Sequence, residues 1–262
     1  VMGVSFAVEN VRGGSGAAAV AKVAKSAPNG GTFYATTPTY IQTSLLSKPE
    51  VGYEGLDPIV IVFLDPEVIY TRAESPFKTL ADAIAHAKAN PGKAKWGAAN
   101  PASLERIALE RLKRTAGVQA AVATHEGGGD LMINVLNGTL DFGIGEIQEI
   151  RSQLDAGKVR LLGVLTDKRL PDFPQLATAK EQGIDLTVTK FRGLAGPKGI
   201  PDDIAAQWET TIRAVVASDA YKAEYGKESL VPAVMGRAEA RAFTQRFAVD
   251  VTNNLKELGV IK

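Results

Sequence analysis

An α/β fold built on doubly wound sheets is what this sequence predicts, and three observations predict it. Short β-branched runs alternate with longer alanine-rich stretches of crossover length, the pattern of parallel βαβ units. Glycine-rich turns follow several of these runs and open helices, the places where open α/β sheets hold ligands. From residue 200 onward the chain reads as almost all helix with no strand partner, as a tail returning over an earlier sheet would.

Taken in order, strands are predicted over residues 4–9, 32–36, 58–63, 68–71, 94–97, 119–124, 141–144, 160–166 and 186–193, where Val, Ile, Thr and aromatic residues gather. Helices are predicted over 17–27, 39–46, 79–89, 104–115, 131–136, 147–156, 201–218, 221–225 and 237–258. Pro91 and Gly92 stop the helix that ends near Ala89; Pro201 with Asp202 and Asp203 starts another, a proline in the first turn followed by acids. No Pro/Ser linker separates two domains. The expected crossings are Asp65-Pro66-Glu67 and Phe191-Arg192-Gly193. Residues 1–70 plus 192–262 then form domain 1, with the helical C-terminal tail packing back, and 71–191 form domain 2.

The 262 residues carry 30 Lys and Arg against 29 Asp and Glu, a formal charge of +1 that excludes a polybasic nucleic-acid binder. There is no cysteine, so disulfides, thiolate nucleophiles and Cys-ligated metals are excluded. Two histidines, His86 and His125, are too few for a His-rich metal centre. No run approaches the about 18 apolar residues of a membrane span. Val1 to Asn10 show neither the basic start nor the apolar stretch of a signal peptide. No cofactor and no metal are expected.

Three strand-to-helix turns carry the chemistry: residues 10–16, 98–103 and 125–130. In the first, Gly14-Ser15-Gly16-Ala17-Ala18-Ala19 fits a dinucleotide loop, but the next strand ends Ala35-Thr36-Thr37 without the acid such a loop requires. The third is the most distinctive. Gly127, Gly128 and Gly129 follow an apolar strand and add no packing; they suit either a hinge or a backbone cradle for a carboxylate, and the cradle is the favoured reading. His125 ends that strand with no Ser or Cys nearby to activate. Glu146 and Glu149 follow Gly143-Ile144-Gly145 at a helix start, where they suit acid–base chemistry or simply complement the helix dipole. Trp96 reads as core, or as a ring to stack on a ligand.

In their order along the chain these segments resemble the substrate-binding proteins of tripartite tricarboxylate transporters, the Bug family. The resemblance is carried by residues 8–16, Ala27-Pro28-Asn29-Gly30-Gly31-Thr32, Lys88-Ala89-Asn90-Pro91-Gly92-Lys93, Glu126-Gly127-Gly128-Gly129-Asp130, Asn137-Gly138-Thr139-Leu140-Asp141, residues 155–164 and residues 192–201. It implies a two-domain fold like the type II periplasmic binding proteins, each domain a doubly wound sheet with flanking helices, closing on a small organic acid in an interdomain cleft. It further implies a periplasmic protein that is not an enzyme, acts as a monomer and delivers its ligand to the membrane subunits of the transporter. The ligand-binding residues it implies are Thr36, Thr37, Thr39, Asn100, Ser103, His125, Gly127, Gly128, Gly129, Asp130, Gly145 and Glu149.

Two departures accompany it. The family begins with another strand and a Pro-Gly-Gly loop ahead of the position of Val8, so the first strand here is expected to be the family's second. Many members have Tyr-Lys where this chain has His125-Glu126. Two rival readings use the same residues: a ligand-sensing domain of a regulatory system, and an α/β enzyme using Glu146 or Glu149 with His125. The second lacks a nucleophile, a metal set and a cofactor fingerprint.

Overall fold

The computed structural model describes residues 5–188 and 190–262. Its strands are β1 (Tyr34–Thr36), β2 (Leu56–Asp65), β3 (Glu67–Arg72), β4 (Ala94–Ala98), β5 (Ala120–Thr124), β6 (Phe142–Glu146), β7 (Val159–Val164), β8 (Lys190–Pro197) and β9 (Val231–Met235). Its α-helices are α1 (Ala17–Ala24), α2 (Thr39–Ser47), α3 (Leu80–Ala89), α4 (Leu104–Ala116), α5 (Gly128–Leu136), α6 (Ile147–Asp155), α7 (Asp202–Ala217), α8 (Asp219–Lys227) and α9 (Arg237–Glu257). They form two compact units. The first holds the described residues up to Leu64 with Phe191–Gly226 and Leu230–Lys262; the second holds Asp65–Lys190 with Lys227–Ser229. The division falls at Leu64/Asp65 and Lys190/Phe191 rather than after residue 70 and before residue 192. The reason is β3, which is paired on both sides by β6 and β7 and so belongs wholly to the second unit.

In the first unit four strands lie in the order β1-β8-β2-β9, with β1 antiparallel to β8 and β2 antiparallel to β9. Gly193 lets β8 approach β2, since a Cβ there would stand 2.2 Å from the Val60 carbonyl oxygen. One core joins Val20, Tyr40, Ile41, Leu56, Ile61 and Phe191 to Ala240 and Ala248 of α9. A second gathers Ile59, Ile200, Ala205 and Trp208, whose indole donates to the Gly30 carbonyl at 3.1 Å. Asp57, buried at the start of β2, accepts from Arg241 at 2.6 and 2.8 Å and from Arg237 Nε at 3.0 Å; Arg237 also reaches Asp202 at 2.7 Å.

Two expectations fail in this unit. Residues 5–9 form no strand, and Val4 lies outside the described residues. The left-handed turn at Gly14-Ser15-Gly16 therefore follows no strand among the described residues, and the dinucleotide loop loses its second requirement as well. Nor is the late region all helix, because β9 pairs with β2 at the sheet edge. Its sequence Val231-Pro232-Ala233-Val234-Met235 hides it, since proline argues against a strand except at an edge, where its missing N–H costs no ladder bond.

In the second unit five strands lie in the order β5-β4-β6-β3-β7. β4 is parallel to β5 and β6, whereas β3 is antiparallel to β6 and β7. The second sheet is thus mixed, and the pairs β1/β8 and β2/β9 of the first are antiparallel, where parallel units were expected. Only Pro66 separates the start of β3 from the end of β2, and β3 joins the second sheet antiparallel to β6. α3 starts at a capping box in which Thr79 Oγ1 accepts from the Asp82 amide at 3.0 Å and Asp82 accepts from the Thr79 amide at 2.9 Å. Trp96 is fully buried and stacked on Phe142 at 4.9 Å, so it is a core ring and not a surface on which a ligand stacks. No helix among the described residues is long and apolar enough to cross a membrane.

Candidate functional site

Because β5, β4 and β6 are adjacent and parallel, their carboxyl ends open along one edge of the second unit's sheet. Three turns leave from that edge: Ala99–Ser103 into α4, His125–Gly127 into α5, and Glu146 directly into α6. This is where open α/β sheets place their ligands. β3 runs against β6 with Glu67 opposite Glu146, so β3 begins at the same edge.

Helix α5 begins earlier than the expected 131–136, because Gly127 is its N-cap and Gly128 and Gly129 already lie in its first turn. The first helical bond runs from the Leu131 amide to the Gly127 carbonyl at 3.2 Å, which leaves the Gly128, Gly129 and Asp130 amides ahead of the ladder. A Cβ on Gly128 would stand 2.5 Å from Glu149 Oε2, so glycine is what lets that carboxylate lie against the turn. The same oxygen would stand 3.5 Å from a Cβ on Gly145. Gly128, Gly145 and Glu149 are therefore brought together. Glu149 keeps access to solvent, yet the loss of water around its carboxyl end, and next the charge of Glu146, push it up to about 7.

Behind Glu149 lies a buried ionic group that no local sequence pattern announced. Lys190 Nζ, 3.1 Å from Glu67, also pairs with Glu105 and Glu146, and all four side chains are almost wholly buried. Burial drives the Glu67 carboxyl well above its ordinary value; Lys190 opposes this while Glu105 and Glu146 add to it. Burial would raise Glu105 too, but the Lys190 ammonium outweighs it and holds that carboxyl low. One oxygen from each of Glu67, Glu105 and Glu146 lies within 4.8 Å of the others, a spacing that suits a metal ion. The donor set does not fit one, because the ammonium of Lys190 already occupies the cation's place among them. In the sequence, threonines alternate with apolar residues ahead of Lys190, and nothing there marks it as a buried charge.

The other expected residues divide between the units. In the second, Ser103 caps α4, accepting from the Arg106 amide at 3.1 Å and donating to the Asn100 carbonyl at 3.0 Å, so its hydroxyl is engaged by the backbone. Asn100 Oδ1 is buried without a hydrogen-bond partner among the described residues. His125 Nδ1 lies 3.2 Å from the Ala98 carbonyl, which ties the ring to β4. His125, Glu126, Asp130 and Ile133 border a hollow of about 350 Å³. In the first unit Thr36 pairs with Gly193, and Thr39 opens α2. Thr36 Oγ1 is buried without a partner among the described residues, as are both polar atoms of the fully buried Gln42, a residue absent from the sequence-based expectations. Its signal was an amide on an otherwise apolar helix face, and buried polar groups left unpaired are rare.

The chain matches, over residues 1–259, the family described as tripartite tricarboxylate transporter family receptor. It is 28% identical over 190 residues to the UPF0065 protein of the gbd 5' region of Cupriavidus necator, covering 72% of this chain but 58% of that one. A UPF0065 protein of Agrobacterium vitis is 24% identical over 256 residues, covering 95% of this chain and 73% of its own. Among solved structures, an R. palustris protein with adipate superposes with a TM-score of 0.90 at 24% identity, over 98% of this chain and 88% of that one. MatC of Rhodopseudomonas palustris, with bound malate, gives 0.76 at 20% identity, over 95% and 85%. At these scores the chain shares the fold of both structures. The family match along nearly the whole length shows that the chain belongs to the tripartite tricarboxylate transporter family receptors, which are periplasmic substrate-binding proteins and not enzymes.

Proposed function

We propose that this protein captures a small organic carboxylate, a di- or tricarboxylate or an aromatic acid, and delivers it to the membrane subunits of a tripartite transporter. In this reading the second unit offers the amides of Gly127–Gly129 as charge-assisted donors, with Asn100, His125, Gly145 and Glu149 around them. The first unit offers Thr36, Thr37 and Thr39. The two units take the acid between them, and the ligand shifts an open–closed equilibrium only as far as it binds the closed form better. The observation that carries the reading is the glycine-rich start of α5 at the carboxyl edge of three parallel strands, in a chain that belongs to this receptor family. The adipate and malate found on two structural relatives name the first acids to try.

A thermal-shift screen of mono-, di- and tricarboxylates and aromatic acids tests it. An acid present at 100 times its Kd should stabilise the fold by about 2.7 kcal/mol and raise the melting temperature accordingly. A flat response to the whole panel would sink the proposal.

A further inference from the structure

We infer that Glu149 decides how an acid is accepted: its carboxyl shares a proton with the incoming carboxylate beside Gly128, so that capture above neutral pH takes up one proton per acid bound. This rests on the carboxylate site proposed for the start of α5 and adds to it a residue that governs specificity and pH response.

Glu149 Oε2 lies so close to Gly128 that a carboxylate approaching the amides at the start of α5 meets a second carboxylate there. Two ionised carboxylates in hydrogen-bond range repel, whereas a pair that shares one proton is held together. Glu149 is faced by Glu146 at the cap of its own helix, by Glu105 of α4 and Lys190 of β8, and by the Tyr70 hydroxyl of β3. From α5 it meets backbone at Gly128; Asp130 in the first turn of that helix and Glu126 just before it are two more acids, and His125 is tied to Ala98. The cation in this set, Lys190, is committed to three buried carboxylates. A proton is therefore the counter-charge at hand. Glu149, pushed up to about 7, binds one at modest cost near neutrality. The proton comes from solvent on binding and returns on release.

Calorimetric titration with adipate and with malate, both ionised over pH 6.5–9, tests the inference in pairs of buffers that differ in ionisation enthalpy. The expected result is proton uptake approaching one per acid at pH 8–9, with Kd rising up to tenfold per pH unit above 7. Glu149→Gln, whose amide donates at every pH, should remove both the uptake and the slope. A Kd that is constant from pH 6.5 to 9, or uptake that persists in the variant, overturns the inference and leaves the receptor reading standing. Failure of both acids and of the whole screening panel to bind the unaltered protein overturns the receptor reading, and this inference with it. A second measurement does not depend on the variant folding. The carbon-13 titration midpoint of the Glu149 carboxyl should move upward when adipate is added; an unmoved midpoint in the loaded protein refutes proton sharing.

Discussion

The two units each bury an ionic group, and the two are built on opposite ratios. In the first, one buried carboxylate, Asp57, receives two guanidinium groups, those of Arg237 and Arg241. Burial alone would raise the Asp57 carboxyl, but the hydrogen bonds from Arg241 and then Arg237 outweigh it and leave it below the usual range. In the second, three buried carboxylates share the single ammonium of Lys190. There burial raises the Glu67 carboxyl well above its ordinary value, while the Lys190 ammonium holds the Glu105 carboxyl low. The lesson is that a cation-rich group fixes charge, whereas a carboxylate-rich group stores protons and passes its field to a neighbour. Glu149, at the candidate site, is that neighbour.

Removing the scarce partner should therefore cost more in the second unit than removing a carboxylate does in the first. Lys190→Met leaves three carboxylates buried without a cation, and a loss of about 3–5 kcal/mol is expected in urea unfolding. Protons can offset that loss. Glu67, raised in the fold, contributes stability on the acid side and costs more as pH rises above the ordinary glutamate value, so the Lys190→Met penalty should shrink between pH 7 and pH 5. A penalty below about 1 kcal/mol at pH 7 would show that the ammonium does not hold this group together.

Asp57→Asn is the matching change in the first unit. It removes the acceptor of two guanidinium groups, one of them half exposed, and about 1–3 kcal/mol is expected. The pH window differs. A lowered carboxyl contributes stability above the ordinary aspartate value and loses it as pH falls, so this penalty should hold from pH 7 to pH 5 and fade only in stronger acid. Unfolding curves at pH 5 and pH 7 for both variants decide the contrast; equal pH slopes would break it.

The smallest effect separates two adjacent glycines. A methyl group on Gly129 would stand in open space, with no neighbour within 4 Å, so Gly129→Ala should add about 0.5–1 kcal/mol of helix stability. Gly128→Ala should forgo that gain, because its methyl must push Glu149 aside, and it should weaken acid binding as well. The obstacle at Gly128 is the Glu149 carboxylate and not the backbone, since Gly128 does not adopt a positive φ. Melting temperatures of the two variants, with adipate titrations alongside, measure the difference.

Much of this was legible along the chain. The helix predicted over 104–115 forms at Leu104–Ala116, and Ser103, expected among the ligand-binding residues, serves as its cap. The candidate turn at 125–130 was legible because three glycines after an apolar strand have no packing use. β9 was not legible, since five residues containing a proline make a strand only when β2 presents an edge to pair with. Lys190 and Glu105 stand 85 residues apart and show nothing of each other in a local pattern.

By itself, then, the sequence determined the α/β class, the order of most elements, the family and the glycines at the start of α5, because each rests on a run of neighbouring residues or on motif order. Only the tertiary structure decided where charge is stored. The antiparallel entry of β3 sets Glu67 opposite Glu146, and the start of β8 brings Lys190 among them. Strand register and long loop closure make those contacts, and both depend on the whole unit folding at once.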